Sequence, residues 1–333
     1  MASYMGRRKT MAEDKSMRII CLAYHTVGHM GLRYFLEETQ DKVVAVFTHA
    51  DDPQEEIWWP SVAQLARSHD IPVFFAEDIN QTQWIDLIAE LQPDFIFSFW
   101  YRQLVKRPIL EIPRCGCLNL HGSLLPKYRG RAPVNWVLVN GEQQTGITLH
   151  YMVERPDAGD IVGQAVVPID FRDTAVTLYE KLVEAGRLVL RAAWPLLREG
   201  RAPRVPQDEG QATYYGRRTP EDGRFEWHWP ALKIYNLVRA VTHPYPGAFV
   251  DFGGRKLFVW DAYPTAGLVL PMRPTPGTVQ ALSPTGIEVA TGEGNLLLRR
   301  VQLEGEAELT GEQFAEAHGL AVGSRMSPAG SEE

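Results

Sequence analysis

Asn119 and His121 stand two residues apart in Leu118-Asn-Leu-His121, alternating with leucines. In an extended strand, side chains at i and i+2 share a face, so an amide and an imidazole project together. The imidazole can accept and return a proton near neutral pH. The amide NH2 can donate to an oxyanion. On spacing alone, a satisfied structural pair explains these residues as well as a reactive one. The residues that follow, Gly122-Ser-Leu-Leu-Pro-Lys-Tyr-Arg-Gly-Arg-Ala-Pro133, mix permissive glycines, rigid prolines, two leucines and three cations. A solvated basic turn explains the cations only, whereas a shaped and packed loop explains the whole mixture. Asp157 lies in Val153-Glu-Arg-Pro-Asp-Ala-Gly-Asp160, where Pro156 and Gly159 flank a tight turn. A carboxylate there caps its own backbone, or it orients a nearby imidazole and raises its pKa. Spacing alone favours the cap.

The elements around these residues alternate. Apolar runs predict buried strands at 18–24, 42–49, 72–75, 94–100 and 117–120. Helices are expected from Gly28-His-Met-Gly31 to about 38, and over 57–69, 81–91, 102–111 and 133–140. That alternation implies a doubly wound, Rossmann-like α/β sheet. Ligands of such sheets bind beyond the carboxyl ends of the strands, where Asn119 and His121 fall. Paired strands follow at 146–153 and 160–169. A long amphipathic helix covers 174–198, with Leu178, Leu182, Ala185, Leu188, Ala192 and Leu196 as its apolar stripe. Ala202-Pro-Arg-Val-Pro-Gln-Asp-Glu-Gly210 is Pro-rich and polar, and reads as a domain linker. Beyond it come a helix at 230–241, short strands at 247–251, 255–262, 277–282, 286–290 and 295–303, and a helix at 310–318. Their density predicts a small β-barrel-like (OB-like) domain. The expected organisation is a disordered arm 1–16, a catalytic domain 17–200, a linker 201–214, a second domain 215–325 and a disordered tail 326–333. Fraying is expected to begin near Ala321.

Bulk properties narrow the function. The 333 residues carry a net charge of -7, which argues against a non-specific nucleic-acid binder. No stretch approaches a membrane span, and the polar first 16 residues lack the apolar core of a signal peptide. Cys21, Cys115 and Cys117 form no disulfide framework and no zinc pattern. They read as buried apolar residues of a cytoplasmic protein.

With Asp157-Ala-Gly159 added, the segment from Asn119 to Pro133 strongly resembles the formyltransferases that use 10-formyltetrahydrofolate. The likeness runs from about Met17 to Arg325. It resembles most the formyltransferase domain of the bifunctional polymyxin-resistance enzyme acting on UDP-4-amino-4-deoxy-L-arabinose. Ala23-Tyr-His25, Phe97-Ser-Phe-Trp-Tyr-Arg102, Gly216-Arg-Arg-Thr-Pro-Glu-Asp222, Glu226-Trp-His228 and Val241-Thr-His-Pro-Tyr-Pro-Gly-Ala-Phe249 share in it. The resemblance implies that Asn119 holds the formyl oxygen, that His121 shuttles protons, and that Asp157 raises the pKa of His121. It places folate on Gln103, Leu104, Val105, Arg131, Val153, Glu154, Arg155, Pro156 and Asp157, with no metal. Arg102, Arg217 and Arg218 are candidates for a nucleotide-sugar diphosphate, since arginine matches phosphate geometry.

Two departures bear on the acceptor and the chain's origin. Tyr24-His-Thr-Val-Gly28-His-Met-Gly31 lacks G-x-G-x-x-G, so no NAD site is expected. The chain is then a standalone enzyme or a domain excised from a bifunctional one, and a homo-oligomer or a separate decarboxylase partner stays open. Methionyl-tRNA formyltransferases carry a basic loop after the second strand. Here Ala50-Asp-Asp-Pro-Gln-Glu-Glu56 holds four acids and no cation, which disfavours tRNA. Formylation of another, dTDP-linked amino sugar, formylation of methionyl-tRNA despite that loop, hydrolysis of formyltetrahydrofolate and a non-enzymatic folate- or nucleotide-binding regulator are the alternatives.

Overall fold

The apolar run that opens the fold forms strand β1 (Arg18–Ala23), buried from Ile19 onward. The computed structural model describes residues 16–53, 56–265 and 274–326. The expected arm, apart from Ser16, and positions 327–333 of the expected tail lie outside the described residues. Elements then alternate: α1 (His25–Glu38), β2 (Lys42–Thr48), α2 (Val62–Arg67), β3 (Val73–Phe75), α3 (Thr82–Glu90), β4 (Phe95–Phe99), α4 (Arg107–Leu110) and β5 (Gly116–His121). The short β6 (Arg129–Gly130), α5 (Pro133–Val139), β7 (Gln144–Tyr151), β8 (Ile161–Pro168) and α6 (Ala175–Arg198) complete the first layer.

The main sheet has the order β3-β2-β1-β4-β5-β7-β8. The first five strands run parallel, as the alternation implied. β7 and β8 are antiparallel, so the sheet is mixed. Chain order now places carboxyl ends of β1, β4 and β5 on one edge, at the switch point between β1 and β4.

Three local expectations are corrected. The helix expected over 57–69 starts only at Val62, because a residue before Pro60 is disfavoured from helical geometry and Ser61 caps the helix through Gln64 N. The helix expected over 102–111 is confined to Arg107–Leu110, with Pro108 in its first turn. The apolar stripe of α6 drifts: Leu178, Leu182 and Ala185 are buried, but the face continues through Val189, Ala193 and Leu197. Leu188 is exposed instead, since a period of about 3.6 residues outruns a strict repeat.

The segment expected to be a linker is held on both sides. Val205 pairs with Ile161 across β8, and β9 (Tyr214–Tyr215) pairs with β6. Beyond it lie α7 (Ala231–Val241), β10 (Ala248–Phe252), β11 (Arg255–Thr265), β12 (Val279–Ser283), β13 (Gly286–Ala290), β14 (Asn295–Leu303), β15 (Leu309–Thr310) and α8 (Gly311–Ala317). These strands form one antiparallel sheet, β10-β11-β14-β13-β12, with β15 on β14. Irregular registers in β11 and β12 bend it. Among the described residues no pairing joins β10 to β12. Fraying from Ala321 is corrected up to residue 326. Met326 is fully buried, its N–H donates to Gly277 O (2.7 Å), and its carbonyl accepts from Trp227 Nε1 (2.6 Å).

Cys21 and Cys117 are buried and Cys115 is half-buried, all as free thiols. Burial pushes the Cys117 thiol up to about 12, which keeps it inert. No described helix is long and apolar enough to cross a membrane. No His, Cys, Asp or Glu cluster among the described residues is arranged to hold a metal ion.

Candidate active site

Asn119 and His121 close β5, and the antiparallel register sets them opposite His150 and Thr148 of β7. The turn after β7 carries Asp157 back over them. Asp157 sits in the left-handed region (φ 54°), which lets the turn fold its carboxylate inward. Its Oδ2 accepts from Gly130 N at 2.9 Å. Its Oδ1 lies 3.3 Å from Asn119 Nδ2, 3.4 Å from His121 Nδ1 and 3.5 Å from His150 Nε2. The structure therefore brings the three expected residues together, and Asp157 is no mere turn cap.

His121 Nε2 lies 2.8 Å from Tyr128 O. A carbonyl only accepts, so Nε2 carries hydrogen and Nδ1 is the nitrogen free to gain and lose a proton. Burial alone would raise the Asp157 carboxyl. The charge of His121, when it holds its second proton, and the Gly130 N–H outweigh it and hold that carboxyl well below the usual range. The group is an anion in every protonation state that His121 passes through.

The loop after β5 is packed, as its composition implied. Ser123, Leu125, Tyr128 and Arg129 are buried. Arg129, fully buried, donates to Gln207 Oε1 (2.7 Å), to Glu209 (2.8 Å) and to Tyr214 OH. Gln207 in turn donates to Asp157 O (2.8 Å) and Gly159 O (2.7 Å). The supposed linker thus clasps the turn that presents Asp157.

Asn119, His121, Gly130, His150 and Asp157 line a cavity of about 810 Å³, within the usual size range for ligand sites. Arg102, Gln103, Leu104, Val105, Met152, Val153 and Pro156 also line it. Leu104 and Val153 are 51% and 46% exposed and form an apolar lip. The Gln103 side chain is already bound to Ile79 N and Ala76 O, so only its backbone faces outward contacts. Glu154 and Arg155 are exposed and do not line the cavity, and Arg155 pairs with Glu209 at 2.5 Å. Arg217, Arg218 and the loop around Pro246 line it as well. Arg218 packs over Trp136 at 4.6 Å and donates to Asp222 O. Arg131 also lines the cavity and donates to Arg102 O. Arg102 lies over the Tyr24 ring at 4.6 Å.

Sequence reasoning passed over His150, Gln207 and an aromatic wall. His25 stacks on Trp59 (4.0 Å) and meets Trp58, Trp100 and Tyr179 edge-on or tilted. Burial, with Arg102 nearby, lowers His25 to about 3, and its Nδ1 accepts from Thr26 N and lies 2.5 Å from Tyr179 OH. The pair Trp58-Trp59 directly after the acidic loop was the available signal. Residues 54 and 55 of that loop lie outside the described residues.

The formyl transferase family model matches residues 17–193, and the model of the family's C-terminal domain matches residues 217–319. The chain belongs to the formyl transferase family. Solved structures show the same fold at low identity. One is WlaRD, a sugar 3N-formyl transferase crystallised with dTDP and 5-N-formyl-THF. It is 18% identical over 88% of this chain and 100% of its own, with a TM-score of 0.65. Another is the Helicobacter canadensis N-formyltransferase with folinic acid and dTDP-3-aminofucose, 20% identical over 85% of this chain and 99% of its own, TM-score 0.65. HypX from Aquifex aeolicus is 19% identical, TM-score 0.59, over 96% of this chain and 50% of its own. This chain spans about half the length of HypX.

Proposed function

We propose that the protein transfers the formyl group of 10-formyltetrahydrofolate to the amine of a nucleotide-linked amino sugar. One observation carries this reading: Asn119, His121 and Asp157 converge in one cavity that the apolar Leu104 and Val153 and the cationic Arg217 and Arg218 also line. The donor's flat ring system fits between Val105, Met152 and the Leu104 and Val153 lip, beside backbone groups of residues 103–105, 153 and 156. The donor supplies an activated formyl group. The acceptor's diphosphate suits Arg217 and Arg218, since guanidinium matches phosphate geometry.

His121 Nδ1 takes the proton of the attacking amine as the new C–N bond forms. The carbonyl electron pair moves onto the formyl oxygen, where the Asn119 NH2 can donate. As that pair returns and the bond to the donor nitrogen breaks, His121 delivers its proton to the departing nitrogen. One imidazole serves both transfers, and Asp157 faces it with a fixed negative charge throughout.

UDP-4-amino-4-deoxy-L-arabinose is the acceptor we place first, on the sequence resemblance. On that reading the protein acts in lipid A modification and polymyxin resistance, in a reducing cytoplasm. A dTDP-linked amino sugar has equal support, because fold neighbours were crystallised with dTDP and with dTDP-3-aminofucose. Steady-state formylation of UDP-linked against dTDP-linked amino sugars, with 10-formyltetrahydrofolate, separates the two. Formate release without an amine, at the rate of transfer, would sink the transferase reading in favour of a hydrolase.

A further inference from the structure

His150 is buried (1% exposed) between the two catalytic side chains and the sheet, yet the mechanism above gives it no task. Its Nδ1 lies 2.8 Å from Tyr151 O, a group that only accepts, so Nδ1 carries the hydrogen. In the neutral ring Nε2 then holds a lone pair. It stands 3.1 Å from Asn119 Nδ2, so the amide donates to it. Asn119 has two amide hydrogens and three claimants for them: His150 Nε2, Asp157 Oδ1 at 3.3 Å, and the formyl oxygen of the reaction.

We infer that His150 is a positioning residue that pins one hydrogen of the Asn119 amide, so that the other can pass from Asp157 to the formyl oxygen. The same Oδ1 atom of Asp157 faces both Asn119 Nδ2 and His121 Nδ1, at 3.3 and 3.4 Å. Both separations are longer than a good charge-assisted hydrogen bond. When His121 Nδ1 gains the amine's proton, Oδ1 acquires a new N–H donor and draws toward it. The Asn119 hydrogen is released at the moment negative charge appears on the formyl oxygen. Without the His150 anchor, the amide is free to rotate, and either hydrogen or the amide oxygen can face the cavity. The anchor therefore couples proton uptake by His121 to oxyanion stabilisation by Asn119. No covalent change occurs at His150.

The inference rests on the formyl-transfer reading for its kinetic arm only. With formyl transfer as the assay, His150→Leu is expected to lower kcat roughly 10²-fold, the lower end of the range for losing one oxyanion donor. KM for donor and acceptor stays within about threefold, because no ground-state contact is lost. His150→Gln, whose carbonyl oxygen offers an acceptor, recovers most of kcat. In an Asn119→Ala background, His150→Leu costs nothing further, because the residue acts through the amide. A full kcat in His150→Leu, or a loss that multiplies onto Asn119→Ala, overturns the inference. A second arm needs no turnover. The 15N spectrum of the His150 ring in the wild-type protein is expected to show protonated Nδ1 and bare Nε2, with Nε2 shifting in Asn119→Ala. A proton on Nε2 overturns the anchor. Failure of the wild type to formylate any amine overturns the transferase reading instead, and the ring spectrum then decides the anchor alone.

Discussion

Replacing Gln207 by alanine tests whether the clasp over Asp157 contributes to the reaction or only to stability. Gln207 donates two hydrogen bonds to the Asp157 turn and accepts from the buried Arg129 guanidinium. The lost bonds amount to roughly 1–3 kcal/mol, and the orphaned buried donors of Arg129 cost about 1–3 kcal/mol more. At about 2.1 cal/mol/K of unfolding entropy per residue, a chain of 333 residues shifts its Tm by roughly 1.4 °C per kcal/mol. A loss of about 4 kcal/mol then lowers Tm by roughly 6 °C. The kinetic effect is separate. Asp157 is held at φ 54°, a conformation costing an ordinary residue about 1–2 kcal/mol. Released from Gln207, the turn can relax and withdraw the carboxylate from His121. A loss of that size corresponds to a fall in kcat of roughly 5- to 30-fold. Calorimetry and formyl transfer kinetics on Gln207→Ala measure both. A variant with a lowered Tm and an unchanged kcat would refute the positioning argument and leave the clasp purely structural.

Four further outcomes are expected. Gly130→Ala places a Cβ 2.3 Å from Tyr215 O at a φ of +100°, so the loop must shift and its N–H leaves Asp157 Oδ2; kcat should fall at least about 10-fold by the arithmetic of a lost charge-assisted bond, as steady-state rates will show. Asp157→Asn removes a charge 3.4 Å from His121 Nδ1, worth about 5 kcal/mol at an effective dielectric of 20, so kcat should drop roughly 10³-fold. Because the folded Asp157 carboxyl lies well below the unfolded value of about 3.9, its stabilisation is present above that pH and lost as pH falls toward the folded value; acid denaturation curves of Asp157→Asn should lack that share of the slope. Arg218→Met should raise KM for the nucleotide sugar with kcat and the donor KM unchanged, as initial-rate kinetics would reveal.

Much of the site was legible because it depends on local pattern. Alternation in Leu118-Asn-Leu-His121 placed two polar groups on one face, and the mixture after Gly122 announced a packed loop. Asp157 could not be promoted by spacing, because its role arises from a left-handed turn meeting Gly130 N, 27 residues away in the chain. His150 was hidden for a different reason. It reaches Asn119 only through an antiparallel pairing, whereas alternating strands and helices imply parallel neighbours. Gln207 was hidden by composition: a polar, Pro-rich stretch reads as a linker whether or not it docks, and docking here depends on the buried Arg129. The apolar stripe of α6 was legible in its first turns and drifted where a strict repeat and a 3.6-residue turn part company.

The central claim is that His121 carries protons between an acceptor amine and the departing folate nitrogen. Single-turnover formylation of UDP-4-amino-4-deoxy-L-arabinose by wild type and His121→Ala tests it most directly, with donor binding measured in parallel. Donor binding within about threefold of wild type and a transfer rate lowered roughly 10²- to 10⁴-fold are expected of His121→Ala. Transfer by His121→Ala at the wild-type rate would contradict it.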